Sequence, residues 1–239
     1  MSERLILITN DDGIRAEGIS KLARAASKFG KVYVVAPATE KSGVSRGFTY
    51  KSPVFAEKFD IGIEGVTAYL TEGTPVDCVR IGVNSLLPRK PDLVLSGIND
   101  AYNISSDILY SATVAAGLEA SFWGIRSICF SKMGPSSDDI VDRYLEELIE
   151  RYMDKDPGWG RTWNINFPGC GLPSLKGIME DCKMSDDDFY RDRYVRTDHD
   201  DGRIELRLIQ ERNWEVSSGT DVYAVVNGYI SVGPVNCVR

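Results

Sequence analysis

The sequence predicts an α/β fold, a mostly parallel sheet with helices on both faces and a C-terminal β-hairpin extension, and two observations carry that prediction. Through roughly the first 130 residues, short apolar runs alternate with longer amphipathic segments, the strand-then-helix repeat that builds parallel sheets. The run "PDLVLSGIND" is moreover apolar without interruption, as a strand covered on both faces must be. A chain of 239 residues suffices for one domain with a sizeable core. We therefore read residues 1–239 as a single domain, with the doubly covered core over 1–135 and strands plus an extension over 160–239.

The elements follow in chain order. "LILIT", Leu5 to Thr9, is the first strand. "EGISKLARAASKFG" places Ile19, Leu22, Ala23 and Ala26 at helical spacing and stops at Gly30. "KVYVVAP" is the second strand, followed by a Gly/Ser-rich loop, and the runs around "PVFAEKF" and "VTAYLTEG" form a β excursion. Thr74 as N-cap, Pro75 at the first helical position and Asp77 three residues after the cap announce a helix. "PDLVLSGIND" and "RSICFSKM" are further strands, flanking a small-residue helix in "SATVAAGLEASFWG". "DDIVDRYLEELIERYM" is an amphipathic helix and "TWNINFPG" a strand and turn. "SDDDFYRDRYVRTDHDDG" reads as a solvated hairpin or arm, and "RIELRLIQ" alternates as a half-exposed strand does. The apolar run in "SGTDVYAVVNGYISVGPV" passes through Gly228 into a last strand.

Composition excludes several classes. With 43% hydrophobic and 26% charged residues the chain is of globular type, and no window is apolar over the ~18 residues a membrane helix needs. The N-terminus lacks a small-residue cleavage site after its short apolar run, so a cytoplasmic protein with no membrane partner is expected. A net charge of −7 and a pI near 4.9 argue against a nucleic-acid polymer as partner, because such binding needs clustered Lys and Arg. The cysteines Cys78, Cys129, Cys170, Cys182 and Cys237 are odd in number and lack CxxC spacing, so free thiols are expected rather than disulfides or a zinc site.

Ligands of open α/β sheets collect beyond the carboxyl ends of the strands, where the strand order reverses. Polar residues fall at three such ends: Asn10-Asp11-Asp12, Ser42 with Gly43 and Ser45, and Ser96 through Asp100. Adjacent carboxylates repel, and a divalent cation such as Mg²⁺ or Mn²⁺, which prefers oxygen ligands, resolves the repulsion. Asp11 and Asp12 would supply charge, Ser42 a hydroxyl and Asn99 an amide oxygen. "NDDG" is equally a turn composition, in which Gly13 permits positive φ, and phospho-acceptor signalling domains also carry an acidic pair after their first strand. Ser111 and Thr113 stand at a helix N-terminus, where they either meet a phosphate or simply cap the helix. No GxxxxGK[ST] occurs, and the one histidine, His199, lies in the charged stretch, against a P-loop and a histidine-based hydrolase. Arg46 and Arg80 lie near these segments and read as ordinary surface charges.

Together, "ITNDDG", "VVAPATEKSGVS", "TEGTPVDCVRIGVNSL", "PDLVLSGIND", "DILYSATVAA", "NINFP" and "TDVYAVVNGYISV" resemble, in order and spacing, the SurE family of stationary-phase survival proteins. The resemblance implies a Rossmann-like domain and a metal-dependent phosphatase acting on nucleoside monophosphates, 5′ or 3′, and on short polyphosphate. It implies one divalent ion per subunit, Mg²⁺ or Mn²⁺, held by Asp11, Asp12, Ser42 and Asn99, with Asn103, Ser111 and Thr113 around the phosphate. Asp11 and Asp12 would be the catalytic carboxylates, Asp11 handling the attacking water, and the C-terminal extension would assemble a homodimer or homotetramer. Ala101, Ser105 and Ala112 replace residues that are usually glycine in the family. Where such a backbone needs positive φ, an L-residue costs roughly 1 kcal/mol. An altered phosphate loop leaves an alternative expectation, a non-catalytic regulatory protein that binds metal and nucleotide. The charged segment Asp186 to Gly202 also departs from the family pattern.

Overall fold

The structure, a computed structural model, describes residues 3–134, 136, 138–187 and 189–236. Cys237 lies outside the described residues, and the other four cysteines are free thiols. The N-terminal half builds strands β1 (Leu5–Thr9), β2 (Lys31–Pro37), β3 (Ala56–Phe59), β4 (Thr67–Thr71) and β5 (Leu93–Asn99). Strands β6 (Arg126–Lys132), β7 (Arg161–Phe167), β8 (Gly177–Met179), β9 (Arg193–Asp198), β10 (Ile204–Ile209) and β11 (Tyr229–Asn236) complete the set. The helices are α1 (Glu17–Ala26), α2 (Pro75–Ile81), α3 (Ala112–Phe122), α4 (Asp139–Tyr152) and α5 (Asp221–Val226).

The main sheet has the order β3-β4-β2-β1-β5-β6-β7-β11-β8. Strands β4, β2, β1, β5, β6 and β7 run parallel, while β3 and β11 pair antiparallel with β4 and β7. Strand β1 pairs with β2 on one side and β5 on the other, so the order reverses there. The crevice of a doubly wound sheet opens at that reversal. Helices α1 and α4 cover one face and α2 and α3 the other, each over its own apolar cluster. Strands β1 and β5 are buried along their whole length, which is why they read as unbroken apolar runs.

Local chemistry places the elements as the sequence suggests. Thr74 accepts from the Asp77 amide, and the Asp77 carboxylate accepts from the Thr74 amide, a reciprocal cap that starts α2. Gly18 lets α1 dock on the end of β5: a Cβ there would lie 2.2 Å from the Ile98 carbonyl oxygen. Two elements differ from expectation. The run after Thr220 is a helix, α5, before it becomes β11, because the Thr220 hydroxyl accepts from the Tyr223 amide and caps it. Strand β10 is more exposed than a half-exposed strand: it pairs only with β9, and Ile204, Leu206 and Leu208 are 51%, 60% and 42% exposed. From Arg193 on the charged segment is accordingly a solvated hairpin, with His199 in its turn beside Glu205, whereas Phe189 ahead of it is buried with Ile104, Val222 and Val225.

Candidate active site

The first turn of the site is made by β1 running into Asn10, Asp11, Asp12 and Gly13. The Asn10 amide donates to the Gly13 carbonyl at 2.9 Å, and Gly13 takes a φ of +98°, so the turn reading holds for the flanks of the acidic pair. The loop after β2 is tied beside it, the Lys41 amide donating to the Asp11 carbonyl at 2.7 Å. Asp11 and Asp12, Ser42, Asn99, Asn103 and Ser111 all line one open cleft of about 600 Å³ at the switch point. Thr113 does not line it. That residue is fully buried, and its hydroxyl donates to Asp11 Oδ1, so it supports a carboxylate where the family resemblance implied a phosphate contact.

Each side chain is already oriented. The Ser42 hydroxyl donates to Glu40 Oε1 at 2.7 Å. The Asn99 amide nitrogen is committed to the Ala101 carbonyl at 2.8 Å, which leaves its carbonyl oxygen as the atom that could ligate a metal. Asn103 is clamped by β6 and β7: its backbone amide donates to Asn166 at 2.9 Å and its side chain to Ser131 at 2.8 Å. The Asn103 carbonyl accepts from Asn164 at 2.8 Å and from Asn166 at 3.2 Å. Ser111 is the N-cap of α3, accepting from the Val114 amide at 3.1 Å, so a helix N-terminus faces the cleft. Arg46 lies over Phe122, and Arg80 lies over Phe48 and bonds Glu119 at 3.1 Å; neither lines the cleft.

Burial governs the electrostatics. It pushes the Asp11 carboxyl above its ordinary range, against the opposing bond from Thr113. Asp12 is pushed up to about 6, first by burial and then by the charge of Asp11, although the Asp100 backbone amide donates to it. Among the described residues no three His, Cys, Asp or Glu side chains group as a metal cluster. The donor set here is instead two adjacent carboxylates with a hydroxyl and an amide oxygen, which suits Mg²⁺ or Mn²⁺ because those ions accept one or two carboxylates and keep water. Two carboxylates that burial holds above their normal range, Asp12 also by the charge of Asp11 and Asp11 by that of Glu40, are what a divalent cation relieves, so the residues fit such an ion.

Sequence reasoning named Asp100 but missed Glu40, Tyr102, Asp107, Tyr110 and Gln210, which also line the cleft. Glu40 sits two residues before Ser42 and is within reach of a search by proximity along the chain. Gln210 follows β10 at the base of the hairpin, and only the tertiary fold brings it here.

Fold and cleft define a doubly wound α/β protein with an acidic, oxygen-lined site at its topological switch point. The model of the family described as Survival protein SurE matches residues 6–190. The chain belongs to the SurE family. Among its relatives, 5′-nucleotidase SurE of Clostridium botulinum (strain 657 / Type Ba4) is 36% identical over 97% of this chain and 92% of its own length. 5′-Nucleotidase SurE of Flavobacterium psychrophilum is 35% identical, over 98% of this chain and 92% of that protein. The crystal structure of SurE protein from Aquifex aeolicus is similar with a TM-score of 0.83 at 32% identity, covering 97% of this chain and 93% of that one.

Proposed function

We propose that this chain is a metal-dependent nucleotidase that hydrolyses nucleoside monophosphates to nucleoside and phosphate. The observation that carries the reading is the convergence of Asp11, Asp12, Ser42 and Asn99 on one cleft with Asn103 and Ser111, in a chain whose relatives are named 5′-nucleotidase SurE. Asp11, Asp12, Ser42 and Asn99 would hold one divalent ion, Mg²⁺ or Mn²⁺. When bound, such an ion supplies positive charge against the phosphate and acidifies water. Asp11, fixed by Thr113 through Oδ1, positions the attacking water and takes its proton. Asn103 and Ser111 hold non-bridging phosphate oxygens, aided by the N-terminus of α3.

The exposed apolar row of β10 supports assembly through the hairpin into a homodimer or homotetramer. Free thiols support a reducing, cytoplasmic setting. Among the described residues no helix is long and apolar enough to cross a membrane. No feature of the cleft favours the non-catalytic alternative.

Phosphate release should be measured over a panel of 5′ and 3′ nucleoside monophosphates with Mg²⁺, with Mn²⁺ and with chelator. Metal-dependent release that Asp12→Asn abolishes is expected. Activity that survives exhaustive chelation, or an unimpaired Asp12→Asn enzyme, overturns the reading, and nucleotide binding without release selects the non-catalytic alternative.

A further inference from the structure

The cleft has an electrostatic problem for a phosphate ester. Asp11, Asp12, Glu40, Asp100 and Asp107 line it, and among the described residues no Lys, Arg or His does. Four of these carboxylates are met by neutral donors: Asp11 by Thr113, Asp12 by the Asp100 amide, Glu40 by Ser42, and Asp107 by Tyr190. Neutral donors stabilise a carboxylate without cancelling its field on an incoming anion. Among the described residues Asp100 alone of the five has a cation within ion-pair distance, the Lys132 ammonium at 3.0 Å, while Asp107 feels the charge of Arg212 without such a contact.

Lys132 reaches Asp100 from behind. It ends β6 and does not line the substrate cleft; it lines a smaller cavity of about 240 Å³ that shares Asp12 and Asp100 with the cleft. Its side chain is only 17% exposed, and its ammonium also lies 3.0 Å from Asp138, which Lys21 of α1 holds at 2.8 Å. Lys21 in turn reaches Asp142 of α4 at 2.6 Å. The chain of charges Asp142, Lys21, Asp138, Lys132 and Asp100 thus runs from the helical face of α1 and α4 to the rim of the cleft. Lys132, Lys21 and Asp138 in the middle of this chain are sheltered and less screened than surface charges, whereas Asp100 at the cleft rim is 59% exposed and Asp142 61%.

We propose that Lys132 is a positioning residue for substrate, its ammonium neutralising Asp100 and pinning the Asn99–Asp100 turn so that this acidic cleft accepts an anionic phosphomonoester. The inference rests on the nucleotidase reading for its substrate class. It assigns to the cavity behind Asp100 a role in charge balance.

The test uses the full chain with Mn²⁺ and inorganic phosphate as the probe, by calorimetry at low ionic strength. Lys132→Gln should weaken phosphate binding roughly threefold or more, the scale of a partly buried charge pair. KM for adenosine monophosphate should rise by the same factor while kcat changes little, and both defects should shrink as salt is added. Lys132→Arg should restore affinity, and Asp100→Asn placed in the Lys132→Gln protein should rescue it, because no charge is then left to neutralise. Should Lys132→Gln fail to fold, Lys132→Met, which keeps the packed stem, and Asp100→Asn alone, which must bind phosphate no more weakly than wild type, decide the matter. Unchanged affinity in Lys132→Gln, a defect that Asp100→Asn does not rescue, or a fall in melting temperature without a change in affinity overturns the proposal. Wild-type protein that binds phosphate but does not hydrolyse nucleotides refutes the nucleotidase reading, and the binding arm still decides the role of Lys132.

Discussion

Asp11 and Asp12 are held together by the fold against their own repulsion, and pH should reveal it. The unfolded carboxyl titrates near 3.8 and folded Asp12 near 6, so between these values the folded, metal-free protein holds a proton that the unfolded chain has released. Stability from this group is therefore present at low pH and lost as pH rises through about 6. The melting temperature of metal-free protein should rise on acidification from neutral toward pH 5. Asp12→Asn should flatten part of that rise and raise stability at neutral pH by roughly 1 kcal/mol after solvent screening, while removing activity. Added Mn²⁺ should reverse the trend, binding more tightly as pH rises. Thr113→Val, which keeps shape but deletes the bond to Asp11, should lower kcat/KM about tenfold, the scale of a hydrogen bond to a charged group, and Thr113→Ser should retain most of it. The acidic pair was legible in the sequence because two charges directly after a buried strand demand a reason. The work of Thr113 was not, since a hydroxyl at a helix start fits both a phosphate and a neighbouring carboxylate, and only the approach of α3 to the end of β1 chooses.

Elements set the loop geometry on which those residues depend. Of Ala101, Ser105 and Ala112, only Ser105 takes a positive φ, +49°. It is held there by its amide, which donates to Asp221 Oδ2 at 2.9 Å, and by its hydroxyl, which donates to the Ser185 carbonyl at 3.1 Å. Ser105→Ala loses the hydroxyl bond and keeps the left-handed backbone, whereas Ser105→Gly loses the bond but relieves the backbone. Chemical denaturation should find the glycine variant more stable than the alanine variant by about 1 kcal/mol. Gly18→Ala should destabilise by about 1–3 kcal/mol, because its methyl must displace the Ile98 carbonyl at the base of the Asn99 loop. The long elements were readable from periodicity and caps, Thr74 with Pro75 most plainly. Helix α5 was not: at 6 residues it is too short to show a helical period, and it reads as the approach to β11.

At the scale of the molecule, the parallel sheet and its switch point followed from strand and helix alternation, and the solvated hairpin from its charge, but the extent to which its apolar row is exposed did not. Ile204, Leu206 and Leu208 pair across to Asp198, Arg196 and Tyr194, so their side chains share one exposed face of a two-stranded ribbon. Leu206→Glu should shift sedimentation of the proposed assembly toward the monomer while changing the unfolding free energy of the dilute monomer by no more than about 0.5 kcal/mol, as a surface change does. The hairpin also ends on Gln210, one wall of the substrate cleft. A two-stranded ribbon is marginal when it has nothing to lean on, so that wall is only as steady as whatever covers Leu206 and Leu208. On the proposed assembly, specific activity should fall on dilution, and fall further in Leu206→Glu, which would make turnover a gauge of how crowded the enzyme is with its own kind.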